Sequence, residues 1–217
     1  TCNYDIEVID TQLPTIACPG NVNVNNDPDM CSAVVNGLSP TTADNCGVTL
    51  QYWSMVGATT GNSDPTGIND ISGTTFNVGT TVVTYYIEDD AGNSAQCSFN
   101  VVVNDAQDPT IVCPADVTVS NDPDQCNAVV NGLAPTTDDN CAVTLQTWNM
   151  VGATVGNSAG AGINDISGTT FNVGTTTVTY HIEDAAGNFA ECSFDVVVND
   201  NQLPTITCPG DVSTTND

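Results

Sequence analysis

The chain has no lysine and no arginine. Its 217 residues carry 26 aspartates and glutamates and one histidine, His181, for a formal net charge of −26. Nucleic-acid binding needs cationic side chains against phosphates, so that class of function is excluded. Attraction to anionic membrane surfaces is disfavoured for the same reason. No apolar run reaches the roughly 20 residues of a membrane-spanning helix, and direct membrane insertion is not expected. No carboxylate can pair with lysine or arginine. Compensation must come from solvent cations, bound metal or backbone N–H groups. Most of the acidity reads as a solvated surface kept soluble by repulsion, with bound Ca²⁺ accounting for part.

What is present is a repeat. Cys18, Cys31, Cys46 and Cys97 return 95 residues later as Cys113, Cys126, Cys141 and Cys192. Cys208 lies 95 beyond Cys113, and Cys2 lies 95 before Cys97. Residues 13–107 and 108–202 are identical at 71 of 95 positions. A period of 95 is a whole domain rather than a solenoid unit of roughly 20–50 residues. Thr1–Asp10 matches the closing strand of a repeat and Leu203–Asp217 the opening of another, so the chain reads as a window from a longer tandem array. The division is 1–10 as a preceding repeat's closing strand, 11–105 and 106–200 as full repeats, and 201–217 as a following repeat's opening strand.

The organising stretch is Ser72–Phe99, SGTTFNVGTTVVTYYIEDDAGNSAQCSF, returning at Ser167–Phe194. Val83, Tyr85 and Ile87 alternate with Val82, Thr84 and Tyr86, and Phe99, Val101 and Val103 with Asn100 and Val102. This is the period-2 signal of strands with one buried face. Asp89–Asn93 supplies the Asp/Gly/Asn chemistry of a tight reversal. Between copies Val82 becomes Thr177 and Tyr86 becomes His181, while Val83, Tyr85 and Ile87 recur unchanged. Polar change is tolerated on one face only, so that face meets water.

The rest of a repeat reads as short strands: one broken at Pro19-Gly20, one from Cys31 to Val35, one from Val48 to Trp53, then long loops from Met55 to Gly73. No segment shows helical periodicity. About seven strands with turn signals between them predict an all-β chain of tandem immunoglobulin-like β-sandwich domains. Ten cysteines in such a chain point to disulfides and an extracellular, secreted or cell-surface location. Zinc wants paired short spacings such as C-x₂-C, whereas the nearest cysteines here are 13, 15 and 16 residues apart.

The hairpin run, the following Val101-Val102-Val103-Asn104-Asp105 and the Pro-Thr-Ile-x-Cys-Pro opening resemble the HYR (hyalin repeat) domain. The likeness is to the four-cysteine form in large secreted or surface proteins of bacteria, and it covers both full and both partial repeats. Gln51–Ile71 is longer than usual for that family. The resemblance implies an immunoglobulin-like extracellular module associated with adhesion, and no catalytic residues.

In such a sandwich the first and last strands start near the same pole, which pairs Cys18 with Cys97 and Cys113 with Cys192. Cys2 and Cys208 then pair outside this window or between chains. Cys31 is assigned to Cys46 and Cys126 to Cys141. Those partners open strands that should lie at opposite poles, and the alternative is a staple between neighbours, Cys31 to Cys141. Oxygen-only clusters suit Ca²⁺. The end of a last strand should meet two loops of the next repeat, gathering Asp10 with Asp44, Asn45, Asp89 and Asn93. The second such set is Asp105 with Asp138, Asp139, Asn140, Asp184 and Asn188. The plainer reading is that Asp-Asn and Asp-Ala-Gly-Asn cap their own turns.

No enzyme is expected. His181 falls on the outward face of a strand, and a nucleophilic triad lacks its usual partners. Trp53 and Trp148 suit sugar stacking, but one aromatic in the third strand of each copy fits the core of a sandwich better. The function expected is a structural repeat segment of a surface stalk, adhesin or filament. Its partners are neighbouring repeats of the same or identical chains; any surface or glycan target is unknown. One alternative is a ligand- or carbohydrate-binding or spacer module of a secreted enzyme. That reading requires one repeat with a distinct exposed aromatic patch. An alternative assembly is a donor-strand polymer joined through the terminal half-repeats.

Overall fold

A computed structural model describes residues 2–216. Among them each repeat forms nine strands and no helix. In the first repeat these are β1 (Thr15–Ala17), β2 (Val22–Asn25), β3 (Ser32–Val35), β4 (Thr41–Ala43), β5 (Val48–Gly57), β6 (Gly61–Asn62), β7 (Thr74–Asn77), β8 (Gly79–Asp89) and β9 (Ser94–Asn104). A five-stranded sheet runs β2-β9-β8-β5-β6, and β3 pairs with β7 and β1 with β4. β2 lies parallel to β9, while β8 is antiparallel to both β5 and β9. The second repeat builds the same pattern from β10 (Thr110–Val112) to β18 (Phe189–Asn199), its five-stranded sheet running β11-β18-β17-β14-β15. Residues 2–14 and 200–216 form no strand. The sequence marks the outer parts of these segments as closing and opening strands, but a strand exists only with a ladder partner, and here they have none.

The alternation read from the sequence is the alternation of burial. Val83, Tyr85 and Ile87 of β8 and Phe99, Val101 and Val103 of β9 are buried, and all of these but Ile87 share one cluster with Ala33, Val35 and Phe76 of β3 and β7. The core is therefore a filling between two facing sheets, an immunoglobulin-like sandwich. Trp53 is half-buried against this cluster from β5. Tyr85 is fully buried, so its hydroxyl needs partners. It accepts the Ile71 backbone N–H at 3.1 Å and donates to the Asp70 carboxylate at 3.1 Å. Burial pushes the Tyr85 phenol well above its usual pKa, and it stays a neutral donor.

Two extra strands over the seven expected come from the long Met55–Gly73 segment and from residues after Leu38. β6 is only two residues long, and β4 only three. The turn out of β5 depends on Gly57, whose φ is +115°. A Cβ there would meet the Thr80 carbonyl oxygen at 2.3 Å, and at Gly152 the Thr175 oxygen at 2.4 Å. Only glycine lets β5 run this close to β8.

The sole histidine sits on the outward face of β17 (Gly174–Asp184). Its Nε2 is 2.9 Å from Glu183 and its Nδ1 3.0 Å from Glu191, with the Phe189 ring stacked at 5.4 Å. The hydrogen bond to Glu183, with a further one to Glu191, raises its pKa above 6.5 despite partial burial. With the folded value raised, the stabilisation is complete below pH 6.5 and is lost as pH rises through the folded pKa.

Substituting Gly57→Ala should destabilise the first sandwich by roughly 1–3 kcal/mol through backbone strain, seen as an earlier thermal transition. An unchanged transition would show that β5 tolerates the displacement. Replacing His181 with the tyrosine of the matching repeat position should lower the melting temperature most at pH 5.5, the gap closing above neutrality. A gap independent of pH would remove the ion-pair explanation.

Candidate functional site

The described residues form two compact units. The first comprises residues 1–108 with 139–142 and 184–188, the second the remainder. The first unit holds two acidic cages, and each is assembled from three separate segments.

The first cage contains Asp10, Asp44 and Asp89, with one carboxylate oxygen from each within 4.8 Å of the others. Asp89 ends β8, is buried, and is gripped by its own turn. The Asn93 backbone N–H donates to Oδ1 at 2.8 Å and the Asn93 amide to Oδ2 at 2.7 Å. The same amide reaches the Asp10 carbonyl at 3.2 Å. Asp44 Oδ2 accepts the backbone N–H groups of Cys46 and Gly47 at 2.7 and 3.0 Å. Asp10 Oδ1 accepts the Gln12 N–H at 2.9 Å. The Gln12 backbone, with the Cys46 thiol and the Asn45 amide adding to it, holds Asp10 below the usual carboxylate pKa. The Asn93 amide does the same for Asp89. The Asp10 carboxylate in turn pushes the neighbouring Cys46 thiol up.

The second cage repeats the first with Asp105, Asp139 and Asp184, again within 4.8 Å. Asp184 Oδ1 accepts three backbone N–H groups, from Ala186, Gly187 and Asn188, at 2.7–2.9 Å. Its Oδ2 accepts the Asn188 amide at 2.6 Å. Asp139 Oδ2 accepts the N–H groups of Cys141 and Ala142 at 2.8 and 2.6 Å. Asn140 donates to Asp105 Oδ1 at 3.2 Å and to the Met30 carbonyl at 3.3 Å. Ala142 holds φ at +118° where the first cage has Gly47 at +94°. That is strained for a residue with a Cβ, and the loop is pinned on one side by Asp139 and on the other by a disulfide.

Turn capping is thus real, but it leaves oxygens over. Asp10 Oδ2, Asp44 Oδ1 and Asn140 Oδ1 are buried atoms with no hydrogen-bond partner. A carboxylate oxygen can only accept, and no lysine or arginine exists to fill the gap. Oxygens that ligate one Ca²⁺ at about 2.4 Å lie no more than about 4.8 Å apart, which both cages satisfy. An all-oxygen donor set of aspartates fits a hard cation. Of the expected ligands, Asp138 is not brought in. It ends β13 (Thr136–Asp138) as an exposed residue, its carbonyl accepting the Thr110 hydroxyl at 3.2 Å. Asn45 is exposed and lies beside Asp10 and Cys46.

The cysteine pairing differs from the assignment within repeats. Cys18 is bonded to Cys97 and Cys113 to Cys192. Cys31 is bonded to Cys141 and not to Cys46, and Cys126 is not bonded to Cys141. Cys31 precedes β3 beside the Asp27–Met30 turn, at the end of the sandwich where β9 finishes. Cys46 lies at the other end, beside Asp89 where β8 finishes. The 11 residues of β9 separate those ends, roughly 36 Å at about 3.3 Å per residue. A disulfide needs Cα atoms within about 7 Å. Cys2, Cys46, Cys126 and Cys208 are exposed and unbonded.

One contact beside the staple had no place in the sequence reading. Gln107 Nε2 donates to Asp29 Oδ1 at 3.0 Å, and its Oε1 accepts the Asp29 backbone N–H at 2.9 Å. The recurrence of glutamine at 12, 107 and 202, 95 residues apart, was the available signal.

A family model described as HYR domain matches residues 9–103 and 104–198. Hyalin of Strongylocentrotus purpuratus is 32% identical over 95% of this chain, and hyalin of Lytechinus variegatus 30% over 98%. The serine-rich adhesin for platelets of Staphylococcus aureus (strain MRSA252) is 29% identical over 89% of the chain. The chain spans 15% and 36% of the two hyalins and 13% of the adhesin. Among solved structures, Dpr11 IG1 bound to DIP-gamma IG+IG2 gives a TM-score of 0.41 at 11% identity, covering 85% of this chain and 99% of that one.

Peptide mapping of the unreduced chain should recover Cys31 linked to Cys141. Cleavage must be at acidic or aromatic residues, since trypsin has no site. A peptide joining Cys31 to Cys46 would overturn the staple.

Proposed function

The chain belongs to the HYR domain family, and from that premise we propose that it is a structural repeat segment of an extracellular stalk, adhesin or filament. The observation that carries the reading is the second cage with its staple. A linker residue, Asp105, is held against the Asp139 loop and the Asp184 turn, while Cys31–Cys141 locks the same loop covalently. Hyalin and a platelet adhesin carry similar repeats, which supports an adhesive setting outside the cell, and the disulfides fit an oxidising location.

The mechanism is mechanical. Cys18–Cys97 and Cys113–Cys192 each close 79 residues of chain, and each stabilises by about 2–4 kcal/mol. The missing lysines and arginines leave trypsin-like proteases nothing to cut. Asp10, Asp44 and Asp89 would hold one Ca²⁺, and Asp105, Asp139 and Asp184 a second, with the asparagine and backbone groups keeping the carboxylates aimed. The ion supplies the positive charge that the sequence lacks and ties three chain segments together. The partners in this reading are neighbouring repeats of the same or identical chains.

A second reading, a ligand-binding module, has one observation in its favour. The copies differ on the outward face of the main sheet. Tyr52 and Tyr86 stack at 4.9 Å there and line a cavity of about 190 Å³ with Glu88 and Gln96. The matching positions of the second repeat are Thr147 and His181. That is one distinct aromatic patch, the feature a sugar-binding module would need. The acidic cages, by contrast, are built around both copies.

Calcium at a hundredfold excess over its dissociation constant should stabilise the chain by about 2.7 kcal/mol. The measurement is thermal unfolding with Ca²⁺, with EGTA, and with Na⁺ at matched ionic strength. Asp105→Asn and Asp139→Asn should each remove part of the shift. A shift reproduced by Na⁺ would mean that charge is merely being screened, and the calcium claim would fall.

A further inference from the structure

On the outward face of the main sheet the two copies carry different chemistry. Tyr52, Tyr86, Ser94 and Gln96 of the first stand where the second has Thr147, His181, Phe189 and Glu191. In the first copy Tyr52 of β5 lies opposite Tyr86 of β8, while Gln96 and Ser94 of β9 lie opposite Tyr86 and Glu88 of β8. The five side chains therefore make one block across three strands. Their counterparts in the second copy satisfy one another. His181 bonds Glu183 through Nε2 and Glu191 through Nδ1, and the Phe189 ring stacks on it. In the first copy the polar groups meet only solvent. Among the described residues, the Glu88 carboxylate, the Gln96 amide and the hydroxyls of Ser94, Tyr52 and Tyr86 have no hydrogen-bond partner within the protein, and all five side chains line one cavity.

The chemistry of a ligand follows from what these groups offer. Two aromatic rings supply apolar surface, and a carboxylate, an amide and three hydroxyls rim it. A purely apolar ligand would strip water from those polar groups and give them no partner. An anionic ligand would meet Glu88 on a chain of net charge −26 with no lysine or arginine to receive it. A quaternary ammonium is held by ring faces turned inward around it. Tyr52 and Tyr86 instead stack with centroids 4.9 Å apart and planes 11° from parallel, so each ring gives one face to the other. A neutral sugar ring matches what remains. Its C–H face is apolar and suits the outer face of a tyrosine. Its hydroxyls both donate and accept, which suits a carboxylate that can only accept beside an amide that does both. The cavity, about 190 Å³, is smaller than the roughly 300 Å³ at which drug-sized pockets begin, so it takes a ligand of single-ring size.

We propose that Tyr52, Tyr86, Glu88, Ser94 and Gln96 bind one pyranose ring of a neutral saccharide, and that the second repeat has the His181 cluster in place of this site. The inference rests on the ligand-binding reading above and gives it a ligand class. It uses no residue of the cages or the staple, so a stalk built from these repeats can carry it.

The test is saturation-transfer NMR on the full chain with the methyl glycosides of glucose, galactose, mannose and N-acetylglucosamine. Methyl glucuronide and tetramethylammonium serve as the charged probes. At least one neutral glycoside should be saturated, most strongly at the protons of its apolar face, and neither charged probe should displace it. Tyr52→Thr combined with Tyr86→His introduces the side chains that the same scaffold holds at these positions in the second repeat, and it should weaken binding about tenfold or more. Glu88→Gln keeps the shape of the side chain and should weaken binding as well, through the lost acceptor. The saccharide site is overturned if no neutral glycoside binds, if binding is unchanged in both variants, or if tetramethylammonium displaces the sugar. The calcium shift and the Cys31–Cys141 peptide report on other residues, so they test the stalk reading whatever the glycosides do.

Discussion

Every carboxylate in this chain has to be accommodated without a lysine or arginine. At the surface, water and salt suffice. Within the cages three carboxylates of one sign lie within 4.8 Å of one another, one of them buried and two partly buried. The chain meets this with neutral donors. Asn93 and Asn188 each bring a side-chain amide and a backbone N–H to one aspartate. Asp44 and Asp139 each take two successive backbone N–H groups. Such bonds favour the charged form of a carboxylate without cancelling its charge. Asp10 Oδ2, Asp44 Oδ1 and Asn140 Oδ1 are left without a hydrogen-bond partner.

The staple answers a different problem. A sandwich of about 95 residues has a modest core, and its two ends are separated by the full length of its longest strands. A disulfide inside the sandwich can join only groups at one end, as Cys18–Cys97 does. A cysteine at the far end has to look outward. Cys31 finds Cys141 on a loop that also contributes Asp139 and Asn140 to the cage. Covalent and electrostatic ties thus converge on four residues, 139–142. The left-handed backbone at Ala142 belongs to the aspartate-clamped loop itself, since Gly47 adopts it in the first cage without a disulfide.

The two copies are most alike where they must pack or cap and least alike where they face water. Val83, Tyr85, Ile87, Phe99 and the cage aspartates have identical counterparts. Tyr52, Tyr86, Ser94 and Gln96 become Thr147, His181, Phe189 and Glu191. These four sit together on adjacent strands, so the outward sheet face is a tyrosine stack in one copy and a carboxylate-flanked histidine in the other. Neither arrangement touches the core, which explains how both fit one scaffold.

The sequence by itself determined the period, the strands of the central hairpin and the face they bury. Each follows from local chemistry: alternation at period 2, a turn of Asp, Gly and Asn, and apolar residues kept while their neighbours change. It also determined that acidic groups would crowd without a protein counterion. Only the tertiary structure decided which acidic groups meet and which cysteines bond. Asp138 and Asp139 are adjacent in sequence, yet one lies exposed on a strand and the other turns into the cage. Cys31 is 15 residues from Cys46 and 110 from Cys141, and it bonds to the distant one. Spacing along the chain carries no information about which end of a strand a residue reaches. That depends on strand length and direction, and these exist only once the sheets have formed.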